Sequence, residues 1–526
     1  MKGKIMEPVK NDTPVTPSNP LFLFMGIGSL IYAFFYTLFL YQNSAGITYP
    51  FFVGGTCLFF FFYLKKSGIT AKKDTAFYVV SLVLLGISTC LTDSWCLLFF
   101  NKLGIFLLFF CMVLHCLYDD RKWDLTKYIS SVCWLLLSSV AFILHPFFDF
   151  FDWLKEKRNA GGKASGKGKY IFYGILIALP LLFVILLLLS SADAVFANLL
   201  DFAVFDRLFY LLDETRIFDI AFLFLFAFFA SYCLLSRFGK KDIREEVPDR
   251  RNGEPVTAIT FTSVISLVYL VFCIIQVVYL FAGIGALPEG YTYAGYARQG
   301  FFQLVFVCLL NLSLVLICIR YFRRNRVLKG LLTFISGCTC IMIASSVYRM
   351  LLYISVYQLT FLRVFVLWAL FVIFLLMTGV TVMIYRENFP YFRYSMITVT
   401  VLYLLFSFAH PDYWIAKYNL SQIPEHAYEK ETSQDKEAGS VIREDIVFDE
   451  YFMKRLSADA APVIYSMAEE KGYEDAWWFK EYAEDLWYAN HYRTLVEKPE
   501  ENFSLRKWNL SRWLSERYYE KSDFDF

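Results

Sequence analysis

The chain concentrates charged and amide side chains in four short stretches between long apolar runs. Carboxylates beside arginines form ion pairs inside membranes, and in a cavity they act as general acids and bases. The stretches include LPEGYTYAGYARQGFFQL at 287–304 and HPDYWIAKYNL at 410–420. They contain a candidate functional face, which consists of Asp193, Glu289, Arg298, Gln299, Arg349, Arg363, Asp412, Lys417 and Asn419.

The arginines of this face are costly to bury in a bilayer. An Arg at bilayer depth costs about 2.5–3.5 kcal/mol, so it usually meets a partner or a cavity. Asp193 and Glu289 are available as counter-charges for Arg298 or Arg349. The alternative is that both arginines, being near helix ends, extend their head groups to the membrane surface.

Other polar residues within apolar runs have structural explanations. Gln276 and Asn311 lie inside predicted helices, where amides typically form hydrogen bonds between helices. We expect Asn101 and Lys102 to lie at the membrane interface. Tyrosines at 291, 293 and 296 fit an interfacial aromatic belt.

The sequence gives no basis for a metal or a cofactor. Its five histidines lack ligand spacing, and its twelve cysteines lie in or beside apolar segments, where they pack as small apolar side chains. Residues 161–168 approach a phosphate-binding loop, but Gly168 replaces the required Ser or Thr and no strand precedes it. His410 and Asp412 form either an acid–base pair or, more simply, an interfacial turn.

The composition predicts the elements that position these residues. The chain has 526 residues, is 58% hydrophobic and 20% aromatic, and has a mean hydropathy of +0.48. A transmembrane helix needs about 20 apolar residues. We therefore predict an all-α, polytopic transmembrane helix bundle of 11–12 spans with a small helical soluble C-terminal tail. The candidate segments are 21–41, 47–64, 76–92, 97–117, 128–144, 170–189, 217–235, 259–282, 301–319, 331–354, 361–384 and 394–409.

Composition shifts divide the chain into six parts. They are a polar N-terminal segment (1–20), N-terminal transmembrane helices (21–154), a flexible basic linker (155–169), a core transmembrane bundle (170–409), a juxtamembrane segment with a tether (410–440) and an acidic helical tail (441–526). Because no cleavage pattern follows 21–41, we interpret that run as a first span. In the tail, Ser457 or Asp459 is expected to cap a helix that stops at Gly472.

Charge predicts sidedness. Connections 155–169, 236–256, 320–330 and 385–394 hold 19 Lys and Arg, whereas the intervening 190–216, 283–300 and 355–360 hold three. The positive-inside rule places the first set in the cytoplasm and the candidate face, with the tail, outside. The basic N-terminus and 65–73 also favour the cytoplasm, which conflicts with twelve full crossings. We expect 128–144 to be a partial or re-entrant span.

Four stretches carry a family resemblance. LLLSSADAVF, LPEGYTYAGYARQGFFQL, YRMLLYISVYQLTFLR and HPDYWIAKYNL resemble DUF4173, a bacterial polytopic membrane family of unknown function that is related to DUF4153. The resemblance covers roughly 170–526 well and the first 150 residues weakly. It implies a multispanning bacterial inner-membrane protein and carries over no reaction. Relatives are expected to have Asn-Pro where this chain has His410-Pro411.

Three functions remain open. The first is an envelope sensor or scaffold whose extracytoplasmic face and acidic tail bind an envelope protein. The second is a transporter or lipid-handling permease, and the third is a membrane enzyme acting on an envelope lipid or glycan. We lean against an enzyme. Membrane lipids are expected partners, and nucleic acid is not, because residues from 410 onward carry 25 Asp and Glu against 15 Lys and Arg.

Overall fold

The computed structural model describes residues 20–160, 216–246, 250–278, 301–386, 388–423, 441–443, 446–495 and 505–521. Four members of the candidate face lie outside these residues: Asp193, Glu289, Arg298 and Gln299. The remaining five are within the described part of the chain. The predicted segment at 170–189 and the linker at 161–169 also lie outside it.

Thirteen long helices precede the tail in the described ranges. Their bounds are α1 Phe22–Leu40, α2 Thr48–Lys66, α3 Thr75–Leu91, α4 Trp95–Leu117, α5 Leu125–Val140, α6 His145–Ala160, α7 Arg216–Phe238, α8 Pro255–Gln276, α9 Phe301–Tyr321, α10 Arg326–Tyr357, α11 Phe361–Tyr385, α12 Tyr391–Phe408 and α13 Pro411–Ser421. The predicted all-α polytopic bundle is confirmed.

Eight helices in the described residues are long and apolar enough to cross a membrane: α1, α4, α7, α8, α9, α10, α11 and α12. The chain is therefore a multi-pass integral membrane protein. Helices α5 and α6 pass the same test only together, with a bend of 60° between them. That geometry is a broken span or a re-entrant loop, as expected for 128–144. Helix α3 is apolar but has only 17 residues.

The chain divides into two compact units. The first comprises Met1–Gln42, Leu58–Thr70 and Cys133–Asp242, and the second comprises Asn43–Cys57, Ala71–Val132 and Ile243–Phe526. Within the first unit, α1 packs against α6 and α7. Arg237 of α7 is buried there, and its guanidinium contacts Ser138 and Asp242. The candidate residues that the structure describes all belong to the second unit.

Amides join the helices of the second unit, as predicted. Asn311 of α9 donates to Thr339 Oγ1 of α10 at 2.9 Å and accepts from the Tyr269 hydroxyl of α8 at 2.6 Å. Gln276 Oε1 of α8 accepts from Ser345 Oγ of α10 at 2.6 Å. The amide groups are thus satisfied inside the bundle, where water does not compete for them.

Asn101 also lies inside the bundle, so the expectation of an interfacial Asn101 is wrong. Its side chain is fully buried, where it donates to Ser88 Oγ at 3.2 Å and accepts from the Tyr403 hydroxyl at 2.8 Å and Ser407 Oγ at 2.9 Å. One amide therefore links α3, α4 and α12. Its partners on α12 are some 300 residues away in sequence, so a local pattern could not identify them.

The tail contains short elements. A two-stranded antiparallel ladder joins β1 Val441–Arg443 to β2 Ile446–Val447. The helices that follow are α14 Glu450–Met453, α15 Ala461–Lys471, α16 Trp477–Leu495 and α17 Leu510–Lys521, with 3₁₀ turns at Ala458–Ala460 and Leu505–Lys507. Helix α15 stops at Gly472, which adopts the left-handed conformation that glycine tolerates.

Polar contacts within the second unit gather at the two ends of α3, α4 and α12. At one end, Asp74 pairs with Arg393, and Lys72 pairs with Asp120 at 3.2 Å. Trp123 Nε1 also donates to the Glu245 carbonyl at this end. We call this end the basic face, defined by residues 71–74, 118–124, 243–246, 250–254, 320–325, 386 and 388–393. The other end, the tail face, is defined by 43–47, 91–94, 357–360 and residue 410.

The Asn101 contacts generate a prediction. Asn101→Leu removes three hydrogen bonds between helices and leaves the Tyr403 and Ser407 hydroxyls without this acceptor. We expect a loss of about 1 kcal/mol, since hydrogen bonds between transmembrane helices are individually modest. The measurement is the thermal unfolding midpoint in detergent. Ser313→Ala is the control, because that exposed hydroxyl bonds only its own backbone at Leu309. Equal midpoints for the two variants would contradict the prediction.

Candidate functional site

The chain turns sharply where α12 ends and the tail begins. His410 has φ 48°, in the left-handed region, and Pro411 opens α13 at its first turn. Proline suits that position because its fixed φ matches a helix and its missing N–H has no partner to lose. The turn brings the His410 ring and the Asp412 carboxylate to the tail face.

Asp459 is the centre of the contact between the tail and the bundle. Its side chain has no exposed surface. Its Oδ2 accepts from Thr92 Oγ1 at 2.5 Å and lies 3.0 Å from His410 Nδ1, while Oδ1 accepts from the Asp93 backbone N–H at 2.8 Å. We call Thr92, Asp93, His410 and Asp459 the Asp459 network. Of the two expected helix caps, Ser457 occupies the N-cap position of the 458–460 turn without a side-chain capping bond, and the Asp459 carboxylate bonds the 91–94 turn instead.

Asp412 lies buried beside this network. Its Oδ2 accepts from Ser457 Oγ at 2.5 Å, and the Ser457 carbonyl accepts from the Tyr482 hydroxyl at 3.0 Å. Burial raises the pKa of Asp412, and the nearby charge of Asp459 raises it further, against the opposing bond from Ser457. His410 bonds Asp459 rather than Asp412, so the two do not form the acid–base pair considered above.

Helix α17 adds a second set of contacts to the tail face. Arg512 Nε and Nη2 both donate to Asp93 Oδ1, at 2.8 and 2.5 Å. Asn509, which is 2% exposed, donates to the carbonyls of Ala45 and Thr92 at 3.0 and 2.9 Å. These donors satisfy backbone carbonyls at two helix–helix turns, which a buried turn requires.

The backbone of the 43–47 turn directly contacts the backbone of the tail. The Ile47 N–H donates to the Trp508 carbonyl at 2.8 Å, and Asn43 Nδ2 donates to the Arg506 carbonyl at 2.9 Å. A Cβ at Gly46 would clash with that same Arg506 carbonyl. The position therefore requires glycine so that the two chains can come this close.

An apolar core joins α13 to the tail. Ile415, Ala416 and Leu420 of α13 are fully buried against tail residues, among them Trp478, Phe479 and Tyr482. Helix α13 is thus part of the tail's own core. We call α13 together with the described residues from 441 onward the tail domain.

Asn419 and Lys417 occupy different faces of α13. Asn419 is buried, and its amide makes two bonds with the Leu359 backbone, accepting from N–H at 2.8 Å and donating to the carbonyl at 3.0 Å. This pairing fixes the 357–360 turn to the tail domain. Lys417 Nζ lies 5.4 Å from the centre of the Trp414 ring, which is 55% exposed.

The two described arginines of the candidate face line one small cavity. Arg349 is buried, and its Nη2 donates to Gln276 Oε1 at 3.2 Å, so it meets a partner inside the bundle instead of extending to the surface. Arg363 donates to the carbonyls of Tyr357 and Gln358. The cavity has a volume of about 220 Å³ and is otherwise walled mainly by apolar and aromatic side chains.

The structure therefore brings Asp412 and Asn419 together with the tail domain, and Arg363 with the turn that Asn419 bonds. Arg349 lies deeper in the bundle, and Lys417 lies on the surface of α13. A common functional role for the candidate face stays a prediction. Sequence reasoning missed Thr92, Asp93, Asn509 and Arg512. Of the Asp459 network, the sequence singled out only His410, beside Asp412, and Asp459, as a candidate helix cap.

Comparison with known proteins gives a family and no characterised relative. A family model described as a domain of unknown function (DUF4153) matches residues 79–467. No curated protein and no solved structure matches the chain. The matched region contains the whole Asp459 network and Asp412, whereas Asn509 and Arg512 lie beyond it. The network therefore lies inside the matched region, and α17 lies outside it.

Gly46→Ala tests the close approach of the tail domain. The new methyl group would meet the Arg506 carbonyl, which belongs to backbone and cannot rotate away. We expect the contact to weaken by about 1–3 kcal/mol, the usual cost of overpacking. Hydrogen exchange of residues 505–512 should rise. Gly55→Ala is the control, since a Cβ there meets nothing within 4 Å. Unchanged exchange in Gly46→Ala would show that the approach is not tight.

The stability of tail docking should depend on pH through His410. Its hydrogen bond with Asp459 raises the pKa of His410 above its ordinary value of 6.5. The docked state therefore binds this proton more tightly, so the stabilisation is complete below about 6.5 and is lost as pH rises through the raised pKa. His410→Asn keeps a residue that tolerates positive φ and removes the titration.

The measurement for this prediction is the thermal unfolding midpoint of both proteins at a series of pH values. The wild-type midpoint should fall, relative to that of His410→Asn, as pH rises above about 6.5. Parallel curves for the two proteins would contradict a stabilising charge on His410.

Proposed function

Since the chain belongs to the DUF4153 family, a domain of unknown function, we propose its role from its geometry: it is a sensor or scaffold of the bacterial cytoplasmic membrane. In this proposal the tail domain lies outside the cytoplasm and binds an envelope protein. The proposal includes a relation to DUF4173, because the stretches that resemble that family include the 410–420 segment next to Asp459.

The observation that carries the proposal is how the tail domain is held. Its own core is apolar, includes α13 and packs against Leu359, Phe361 and Val364 of the bundle. At the 43–47 and 91–94 turns, however, the tail domain is held by hydrogen bonds and by the ion pair of Arg512 with Asp93. Polar interfaces between domains are typical of contacts that open and close. A sensor requires such an element with two arrangements.

Charge supports the orientation. The basic face contains parts of three of the four basic connections that the positive-inside rule assigns to the cytoplasm. The tail domain lies at the opposite ends of α3, α4 and α12, where the chain is acidic. The proposed orientation thus places the tail domain in the envelope.

Charge also indicates the kind of partner. The chain from residue 410 onward has 25 acidic and 15 basic residues. Tyr451 is 65% exposed and Trp477 is 39% exposed, and their rings lie 4.8 Å apart at a tilt of 58°. Lys454 Nζ is about equally close to both rings. Aromatic anchors are enriched at protein interfaces. We infer a protein partner with a basic surface that contacts this aromatic pair.

A permease is the second candidate, and the cavity beside Arg349 and Arg363 is the observation in its favour. Against it, the described amides within the spans bond hydroxyl groups of neighbouring helices, as Asn101, Asn311 and Gln276 show. An enzyme is disfavoured because the Asp412 carboxylate is covered by Ser457 of the tail domain rather than facing a cavity.

Asp459→Asn tests whether the tail domain binds its protein partner when it is docked on the bundle. The substitution removes the buried charge and turns one accepting oxygen into a donor that faces Thr92 and His410. We expect docking to weaken by about 1–3 kcal/mol. A photo-crosslinking amino acid in place of Tyr451 should give a discrete protein adduct in intact cells, and that adduct should decrease in Asp459→Asn.

Two controls accompany this test. Asp475→Asn also removes one tail carboxylate, but from a fully exposed position, so it should leave the adduct unchanged. The same crosslinker at Val264, which is 63% exposed on the membrane helix α8, should capture lipid. Lipid alone at position 451, or an adduct that Asp459→Asn and Asp475→Asn affect equally, would count against the proposed function.

A further inference from the structure

A second cavity, distinct from the candidate face, opens on the basic face. It has a volume of about 380 Å³ and lies where α3 and α12 begin and α4 ends. Its walls combine cations with aromatic rings, the latter being Phe77, Tyr78, Trp123, Tyr128 and Phe392. None of the candidate residues predicted from the sequence lines it.

The charge in this cavity is predominantly positive. Four cationic side chains line it, Lys72, Lys73, Arg121 and Arg393, against the two carboxylates of Asp74 and Asp120. Arg393 Nη2 pairs with Asp74 at 2.5 Å, so that carboxylate is already neutralised. Lys73 and Arg121 are both exposed at the cavity and pair with neither of its two carboxylates. Arg121 Nε lies 3.8 Å from Oδ1 of Asp119, an exposed carboxylate that does not line the cavity.

Asp120 is fully engaged by protein groups. It accepts from Lys72 Nζ at 3.2 Å and from the Tyr128 hydroxyl, and its Oδ2 lies 2.7 Å from His115 Nδ1. Burial alone would raise its pKa, but the bonds from His115 and Tyr128 and the neighbouring cations lower it to about 2. Asp120 therefore stays anionic and orients the His115 ring by its Nδ1.

His115 supplies an independent indication of a ligand. Its side chain is 8% exposed, and it lines the cavity. With Nδ1 on Asp120, the other ring nitrogen, Nε2, is buried without a hydrogen-bond partner among the described residues. A buried polar atom normally has a partner, so an oriented and unsatisfied Nε2 in a cationic cavity indicates a ligand with a matching polar group.

We propose that this cavity binds the phosphate group of an anionic phospholipid head group. Lys73 and Arg121 bind the phosphate charge, and Nε2 of His115 hydrogen-bonds to the head group. The acyl chains lie along α12, where Ile397, Val401 and Leu405 form an exposed stripe at a spacing of four residues. Ile397 lines the cavity itself, so the stripe continues from the site.

The test uses the full-length protein in detergent with two probes. Native mass spectrometry measures the binding of dioleoyl phosphatidylglycerol, with dioleoyl phosphatidylcholine as the neutral comparison. Quenching of tryptophan fluorescence measures the binding of inorganic phosphate and glycerol phosphate without lipid. Trp123 in the cavity wall is the internal fluorophore.

The cavity variant is Lys73→Ala with Arg121→Ala. Both side chains are exposed, so their removal leaves the core intact. The matched control is Lys122→Ala with Arg323→Ala, which also removes two exposed cations from the basic face but none from the cavity. His115→Asn adds a second test, because its amide replaces Nδ1 on Asp120 and lacks Nε2. Thermal midpoints verify that every variant is folded.

The expected result is binding of phosphatidylglycerol that becomes about tenfold weaker in the cavity variant and in His115→Asn, and unchanged in the control. Phosphate or glycerol phosphate binding with the same dependence would support the phosphate site and identify a soluble ligand as its source. The proposal is overturned if the cavity variant binds both probes as the control does, or if neither probe binds the wild type.

Discussion

A buried carboxylate has to be satisfied, and in this protein that requirement fixes where the tail domain lies. The Asp459 side chain has no exposed surface, so only hydrogen bonds to the protein offset the free-energy cost of removing its carboxylate from water. Those bonds come from Thr92, the Asp93 backbone and His410, which belong to two separate turns of the bundle. Because Asp459 meets these three partners together where the tail domain is docked, its burial stabilises that docking position.

The sequence was informative about the fold and much less so about the docking contact. Hydrophobic runs predict the helices because each span must be apolar over its own length. The hydrogen-bonding role of Gln276 and Asn311 was predictable, because an amide inside an apolar span needs a partner even when the sequence does not show which residue that is. Asn101 was misplaced since its depth depends on α12, and Thr92 resembles an ordinary turn residue until Asp459, 367 positions later, is placed against it.

The candidate face illustrates the same limit in another way. Asp412, Asn419, Arg349 and Arg363 stand out because charge and amide are rare near spans, yet their tasks differ. Asn419 pairs with backbone at Leu359, and Arg349 bonds Gln276. A residue type that is rare in membrane spans marks a position with a specific role. The group that the side chain bonds determines what that role is. The basic cavity shows the converse: Lys73 and Arg121 look like ordinary loop cations in the sequence, and only the structure shows that they line one cavity with His115.

The meeting of the 43–47 turn with the Arg506 carbonyl has a consequence for biogenesis. Asn43 and its acceptor are separated by 463 residues, so a ribosome inserts the early helices long before their contact exists. A nascent chain that has not yet reached residue 508 lacks the Arg506 and Trp508 carbonyls that Asn43 and Ile47 bond, so this contact forms only late in synthesis.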